Sequence, residues 1–190
     1  MRPSSLRLVI AVTGASGVVY GKRLLEVLRQ KKVETYLIVS RAAEKVIEHE
    51  LEASKKDLEK LATHVYDVDD LNAPLMSGSF KTDGMVIVPC SMKTLAGIVH
   101  GFADNLILRA ADVALKEKRR LIVVPREAPL STVHLRNMLH AAELGISVVP
   151  AMPAFYHKPE KVQDLVDFVV GRVLDCLGIE HTLFKRWCNS

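Results

Sequence analysis

Five short runs of mostly branched apolar residues punctuate this chain, each closed by glycine, serine or proline and each followed by a helical pattern. They are Leu6 to Val12, Thr35 to Val39, Gly84 to Pro89, Leu121 to Val124 and Ile146 to Val149. A strand buried on both faces reads as such a continuous run, and strands of that kind belong to parallel sheets covered by helices. After the first run, Leu24, Leu25 and Leu28 keep helical spacing among Lys22, Arg23, Glu26 and Arg29, which predicts an amphipathic helix from about Gly17 to Gln30. Strand, turn and helix in repeated order predict an α/β fold: a three-layer, open, mostly parallel sheet, Rossmann-like or flavodoxin-like, with right-handed crossovers. At 190 residues the whole span, 1–190, is expected to form a single domain.

In sheets of this kind ligands bind outside the carboxyl ends of the strands. The segments that follow the strands here are also the chemically unusual ones: Gly14-Ala15-Ser16-Gly17, Ser40, Cys90 to Thr94, and Pro125-Arg126-Glu127. The glycine turn opens a helix, so its backbone N–H groups and the helix dipole can hold a phosphate. Ser40 reads equally well as a helix N-cap. None of the four tyrosines has a lysine four positions on, and the spacing GxxxxGK[ST] is missing from the turn, so neither a short-chain dehydrogenase pair nor a P-loop is present.

Several function classes drop out on composition. The apolar stretches are too short for a membrane helix, and the amino terminus leads into a glycine turn rather than a cleavage site, so a cytoplasmic protein without a membrane partner is expected. Cys90, Cys176 and Cys188 show no CxxC spacing and an odd count, against a disulfide framework or zinc site. The 26 basic residues are interleaved with 22 acidic ones, which favours an anionic small molecule over nucleic acid.

Three charged residues lie where a pattern expects apolar ones or a partner. Glu50 follows Val46 and Ile47 at helical spacing, which places it on the inward stripe of its helix as a carboxylate that orients or accepts from a ligand, with a structural ion pair or a helix edge as the alternatives. Arg172 shares the seam Leu165, Val169, Cys176 and would seek a buried anion. Lys116, four residues after Asp112, reads as an exposed helix pair. The stretch from Pro150 to Pro159, with three prolines and the pair Phe155-Tyr156, looks like the wall of a site, and Pro159 and Glu160 suit the first turn of the last helix.

Taken together, TGASG at 13–17, PCSMKTLAGI at 89–98, RAADVALKE at 109–117, VPREAPLS at 124–131, HLRNML at 134–139, PAFYH at 153–157, DLVDFVVGRVLD at 164–175 and Arg186-Trp187 resemble the UbiX-like flavin prenyltransferases over nearly the whole chain. The resemblance implies an enzyme that joins the dimethylallyl group of dimethylallyl monophosphate to N5 and then C6 of reduced FMN, yielding the cofactor of UbiD-like decarboxylases. It also implies a homo-oligomer, a dodecamer, with sites between subunits.

Carried over to these positions, FMN would be held by Gly14, Ala15, Ser16, Ser40, Ser91, Met92, Lys93, Thr94 and Arg126. Arg109, Lys116, Tyr156 and Arg172 would bind the prenyl phosphate, with Ser16, Glu50 and Glu127 as catalytic groups. No metal is expected, because the Asp-rich cluster that holds Mg²⁺ for prenyl diphosphates is missing and cations replace it. Two other classes compete. A flavin-dependent cysteine decarboxylase would show a PASANT-like segment where Pro89-Cys-Ser-Met-Lys-Thr94 stands. A non-enzymatic flavin carrier would have no use for Glu50, Tyr156 and Arg172.

Overall fold

The computed structural model describes residues 6–187, so Cys188 lies outside the described residues. Six strands, β1 (Arg7–Val12), β2 (Glu34–Val39), β3 (His64–Tyr66), β4 (Gly84–Cys90), β5 (Arg120–Pro125) and β6 (Ser147–Val148), form one sheet. All are parallel, in the order β3-β2-β1-β4-β5-β6, the doubly wound order of dinucleotide-binding folds. The α/β architecture read from the five runs is therefore the observed one. Its switch point lies between β1 and β4, where the chain leaves in opposite directions.

Seven helices cover the sheet: α1 (Val18–Gln30), α2 (Arg41–Leu51), α3 (Lys55–Glu59), α4 (Met92–Val99), α5 (Leu106–Lys116), α6 (Thr132–Glu143) and α7 (Val162–Leu177). Successive strand residues point to opposite faces, and the core divides accordingly. Val9, Ala11, Met85, Ile87 and Val123 pack with α4, α5 and α6. Leu8, Ile10, Val12, Val86 and Val124 pack with α1, α2 and α7. This division decides which site residues of one chain can meet.

The short edge strand β3 was invisible in sequence because His64 and Val65 are exposed and only Tyr66 is partly buried, so no apolar run marks it. The last helix starts later than expected: Pro159 and Glu160 precede it, and Asp164 in its first turn accepts from the N–H groups of Glu160 (2.9 Å) and Lys161 (3.0 Å). A carboxylate there satisfies orphan donors and favours the dipole, so capping falls to Asp164 and the prolines shape the approach.

At the switch point the carboxyl ends of β1 and β4 are latched. The Thr13 hydroxyl, 1% exposed as a residue, donates to the Pro89 carbonyl (2.8 Å) and accepts from the Ser91 N–H (2.8 Å). One buried side chain thereby fixes where α4 begins relative to the glycine turn.

Candidate active site

Above this latch a cavity of about 460 Å³ opens, lined by Gly14 after β1, Ser40 and Arg41 at the start of α2, Asp69, Ser91, Lys93 and Thr94 at the start of α4, and Asn105 before α5. Three of the four segments expected there, those after β1, β2 and β4, thus meet at the carboxyl rim, joined by Asp69 and Asn105, whereas Pro125-Arg126-Glu127 is not among the lining residues. Each helix start has a reason in the sequence. Ser40 Oγ accepts from Ala43 N–H (3.1 Å), Ser91 Oγ from Thr94 N–H (3.2 Å) and Asn105 Oδ1 from Leu108 N–H (3.1 Å). Capping and ligand binding are compatible here, since a capping hydroxyl keeps its own O–H to donate. Three helix N-termini make the cavity favourable to an anion, while its lining cations Arg41 and Lys93 are matched by Asp69 and Asp104.

Gly14 is where the backbone must stay bare. A Cβ there would sit 2.5 Å from Ala42 Cβ and 3.2 Å from the Ala42 backbone carbon, so α2 packs directly on the turn. Sequence reasoning missed Thr13, Arg41, Asp69 and Asn105. Thr13 closes a strand just before the noted turn and Asn105 stands before a periodic apolar run, so both carried a readable signal. Arg41 and Asp69, ion-paired with each other at the mouth, are joined only by the tertiary fold.

The glycine turn is used differently from the expectation. Glu50 is exposed rather than inward-facing, and its carboxylate reaches the start of α1, accepting from the N–H groups of Gly17 (2.8 Å) and Val18 (3.1 Å). The protein's own carboxylate therefore fills the position foreseen for a phosphate. Glu50 escapes the inward stripe because its helix buries only Ala43 and Ile47. Beside it, burial raises the Tyr20 phenol above its usual value, with Glu50 adding to the rise and Arg126 opposing it. Arg126 is thus placed near Tyr20 and outside the cavity lining, and its Nε is buried with no partner among the described residues.

The remaining expected residues are dispersed. Ala15 is buried, Ser16 is exposed, and the Met92 side chain belongs to the core, so Met92 can offer only its backbone to a ligand. Glu127 is exposed and its Oε1 accepts from the Ala128 N–H (3.1 Å); among the described residues it forms no ion pair with Arg126. On α5, Arg109 is held by Asp112 (2.5 Å) and the Met76 carbonyl (3.2 Å). Lys116 pairs with Glu117 (2.8 Å) rather than with Asp112, which Arg109 has claimed.

Arg172 is likewise exposed instead of set on an apolar seam. It pairs with Asp175 at 2.9 Å, because α7 buries Val166, Val169, Val170, Val173 and Leu174 and turns Arg172 outward. Tyr156 lines a second cavity, of about 490 Å³, with His157, Lys158, Lys185, Arg186 and Trp187. Cys90 is fully buried and burial pushes its thiol up to about 12, which leaves it inert as a nucleophile. Among the described residues no group of three or more His, Cys, Asp or Glu side chains is arranged to hold a metal ion, and no helix is long and apolar enough to cross a membrane.

The family model described as Flavoprotein matches residues 2–174. The flavin prenyltransferase UbiX of Methanocaldococcus jannaschii is 54% identical over 182 residues, covering 96% of this chain and 98% of the relative. A dodecameric FMN-dependent UbiX-like decarboxylase from Escherichia coli O157:H7 superposes with a TM-score of 0.94 at 51% identity, covering 96% of this chain and 99% of the other. The crystal structure of AnUbiX (PadA1) with FMN and dimethylallyl pyrophosphate gives a TM-score of 0.95 at 48% identity, covering 96% and 97%.

Proposed function

Because this chain belongs to the flavoprotein family and is a flavin prenyltransferase of the UbiX type, we infer that it moves the dimethylallyl group from dimethylallyl monophosphate to N5 and C6 of reduced FMN. The observation that carries the reading is the convergence of the polar turns after β1, β2 and β4 on one cavity at the switch point. Its volume of about 460 Å³ falls in the range of small-molecule sites. The donor set also suits the flavin nucleotide: bare backbone at Gly14, hydroxyls of Ser40, Ser91 and Thr94, and cations from Lys93 and Arg41.

These residues would hold FMN, and Arg126, which lies outside the cavity lining, would join them by turning its unpartnered Nε toward the cofactor. Reduced FMN supplies the electron-rich atoms that accept the allyl group. As the allyl–oxygen bond breaks, negative charge grows on the phosphate, and Arg109, Lys116, Tyr156 and Arg172 stabilise it with charge-assisted and hydroxyl hydrogen bonds. Glu127 protonates the departing phosphate. Glu50, held by the Gly17 and Val18 N–H groups, would accept or relay a proton near the flavin, with Ser16 beside Gly17 in sequence.

Within one chain those phosphate ligands are split. Arg109 and Lys116 stand on α5, on one side of the sheet, whereas Arg172 stands on α7 on the other. Combining them takes two copies, so the site is completed in a homo-oligomer, a dodecamer. Helix α6 supports this: Leu135 and Leu139, four residues apart on one face, are 52% and 60% exposed. Light scattering should report a mass well above the 21.1 kDa chain; an active monomer would refute the shared site. The setting is cytoplasmic, and the product passes to a UbiD-like decarboxylase.

The reaction itself is tested with purified protein, reduced FMN and either dimethylallyl monophosphate or the diphosphate, with mass analysis of the flavin. A prenylated flavin is expected, formed at an unchanged rate after chelator treatment. No adduct from either donor, or strict dependence on added Mg²⁺, would overturn the assignment.

A further inference from the structure

We propose that Asp175 is a positioning residue of the donor-phosphate site, holding Arg172 next to Arg186, which lines the Tyr156 cavity. The proposal rests on the reading that Tyr156 and Arg172 take the donor's phosphate. Gly178, with φ of 72°, ends α7 in a left-handed turn and sends the chain back along that helix. The returning segment packs over Gly171, where a Cβ would lie 2.4 Å from Phe184 and 2.6 Å from His181. Arg186 then stacks on Phe184 (5.2 Å), and Trp187 meets the Tyr156 ring edge-on at 5.2 Å.

The Asp175 carboxylate, 19% exposed, binds this segment. Its Oδ1 accepts from Arg186 Nη2 (2.7 Å) and faces His181 Nε2 (3.1 Å); its Oδ2 accepts from Arg186 Nη1 (2.9 Å) and Arg172 Nη1 (2.9 Å). A carboxylate offers about four acceptor sites, and all four are engaged. The engagement is unequal. Arg186 makes the two-pronged contact, the stronger geometry, while Arg172 holds by one nitrogen and is half exposed, a weak tether. If Arg172 leaves, three contacts remain to satisfy the carboxylate. Arg172 is therefore kept within reach of an anion without being committed elsewhere.

The Tyr156 cavity is cationic. Lys158, Lys185 and Arg186 line it with Tyr156, His157 and Trp187, and no carboxylate is among its lining residues. Both ring nitrogens of His157 are buried without a partner among the described residues. Buried polar nitrogens normally find partners, and a phosphate monoester or diphosphate would supply acceptors for this set. The carboxyl-terminal segment thus belongs to the donor site, and Asp175 sets the arrangement of its cations.

Asp175→Asn keeps the shape but loses the charge that orders both guanidinium groups. The donor KM should rise about tenfold, as for loss of a charge-assisted contact, with kcat and FMN affinity close to wild type. Asp175→Glu should recover part of the loss. Trp187, the chain's single tryptophan, lines the cavity and gives a second readout: its emission should respond to inorganic phosphate in the wild type and should lose that response in Asp175→Asn. If Asp175→Asn does not fold, Arg186→Lys, which keeps the charge without the two-pronged contact, carries the same expectation. An unchanged donor KM, or a fall in FMN affinity matching the change in KM, would overturn the proposal. Arg172→Gln with normal donor KM would instead overturn the reading beneath it.

Discussion

Replacing Glu127 by Gln should leave FMN binding nearly unchanged while slowing formation of the prenyl adduct by about 10²–10⁴, the usual worth of general acid catalysis. Glu127 directly follows Arg126 at the end of β5, on the rim where phosphate chemistry is placed. A carboxylate beside an anion is unfavourable unless it is protonated or shared between cations. The structure removes the simplest structural role for it. Glu127 forms no ion pair with Arg126 among the described residues, and its one hydrogen bond is to the adjacent Ala128 N–H. An exposed side chain so lightly held is free to meet a ligand. Gln keeps the shape and can still accept from Ala128, but it carries no titrating proton. Single-turnover measurement of adduct formation, with flavin binding followed separately, checks the expectation. Turnover near wild type rejects the acid role, and lost flavin binding assigns Glu127 to the cofactor site instead.

The second large effect is expected at Thr13. Thr13→Val preserves volume and removes the hydroxyl that bridges Pro89 O and Ser91 N–H. The Pro89 carbonyl keeps a bond from the Thr13 N–H at 3.2 Å, so Ser91 N–H is the group left without its partner. Stranding a buried donor costs about 1–3 kcal/mol, and losing the hydroxyl's other bond adds to it, for a total of about 2–3 kcal/mol. For a chain of this length that lowers Tm by roughly 4–12 °C. Denaturation at fixed protein concentration is the right measurement, since association shifts apparent stability; the midpoint should fall with its slope unchanged. Flavin affinity should fall too, because Ser91 caps α4 at the cavity. Thr13→Ser, which retains the hydroxyl, should restore most of both. A variant that melts and binds like wild type would mean the latch contributes nothing.

Strand runs were legible because burial on both faces demands unbroken apolar residues, and the rim followed because parallel strands all end on the same side. Gly14, Ser40, Ser91, Lys93 and Thr94, expected on that rim, line one cavity, whereas Ala15, Ser16, Met92 and Arg126 do not. β3 escaped because an edge strand of three residues, two of them exposed, leaves no periodic trace. Glu50 and Arg172 were misplaced for a related reason. Helical spacing tells which residues share a face, but how wide a stripe is buried depends on what packs against it. Helix α2 buries little, and α7 buries a stripe that stops short of Arg172.

By itself, then, the sequence determined the layered parallel fold, the rim that carries the site and the family, since these rest on local periodicity and on long motifs in order. Tertiary structure alone decided that Glu50 occupies the start of α1, that Arg41 meets Asp69, and that Asp175 gathers Arg172, His181 and Arg186. Each of these is a side-chain meeting whose partners no local spacing specifies, except Arg172 with Asp175, and there the spacing permits the pair but only the exposed face of α7 realises it. The division of Arg109 and Lys116 from Arg172 is of the same kind. Which side of the sheet a helix covers is set by the direction in which each crossover leaves the switch point, and that direction is fixed only when the strands assemble.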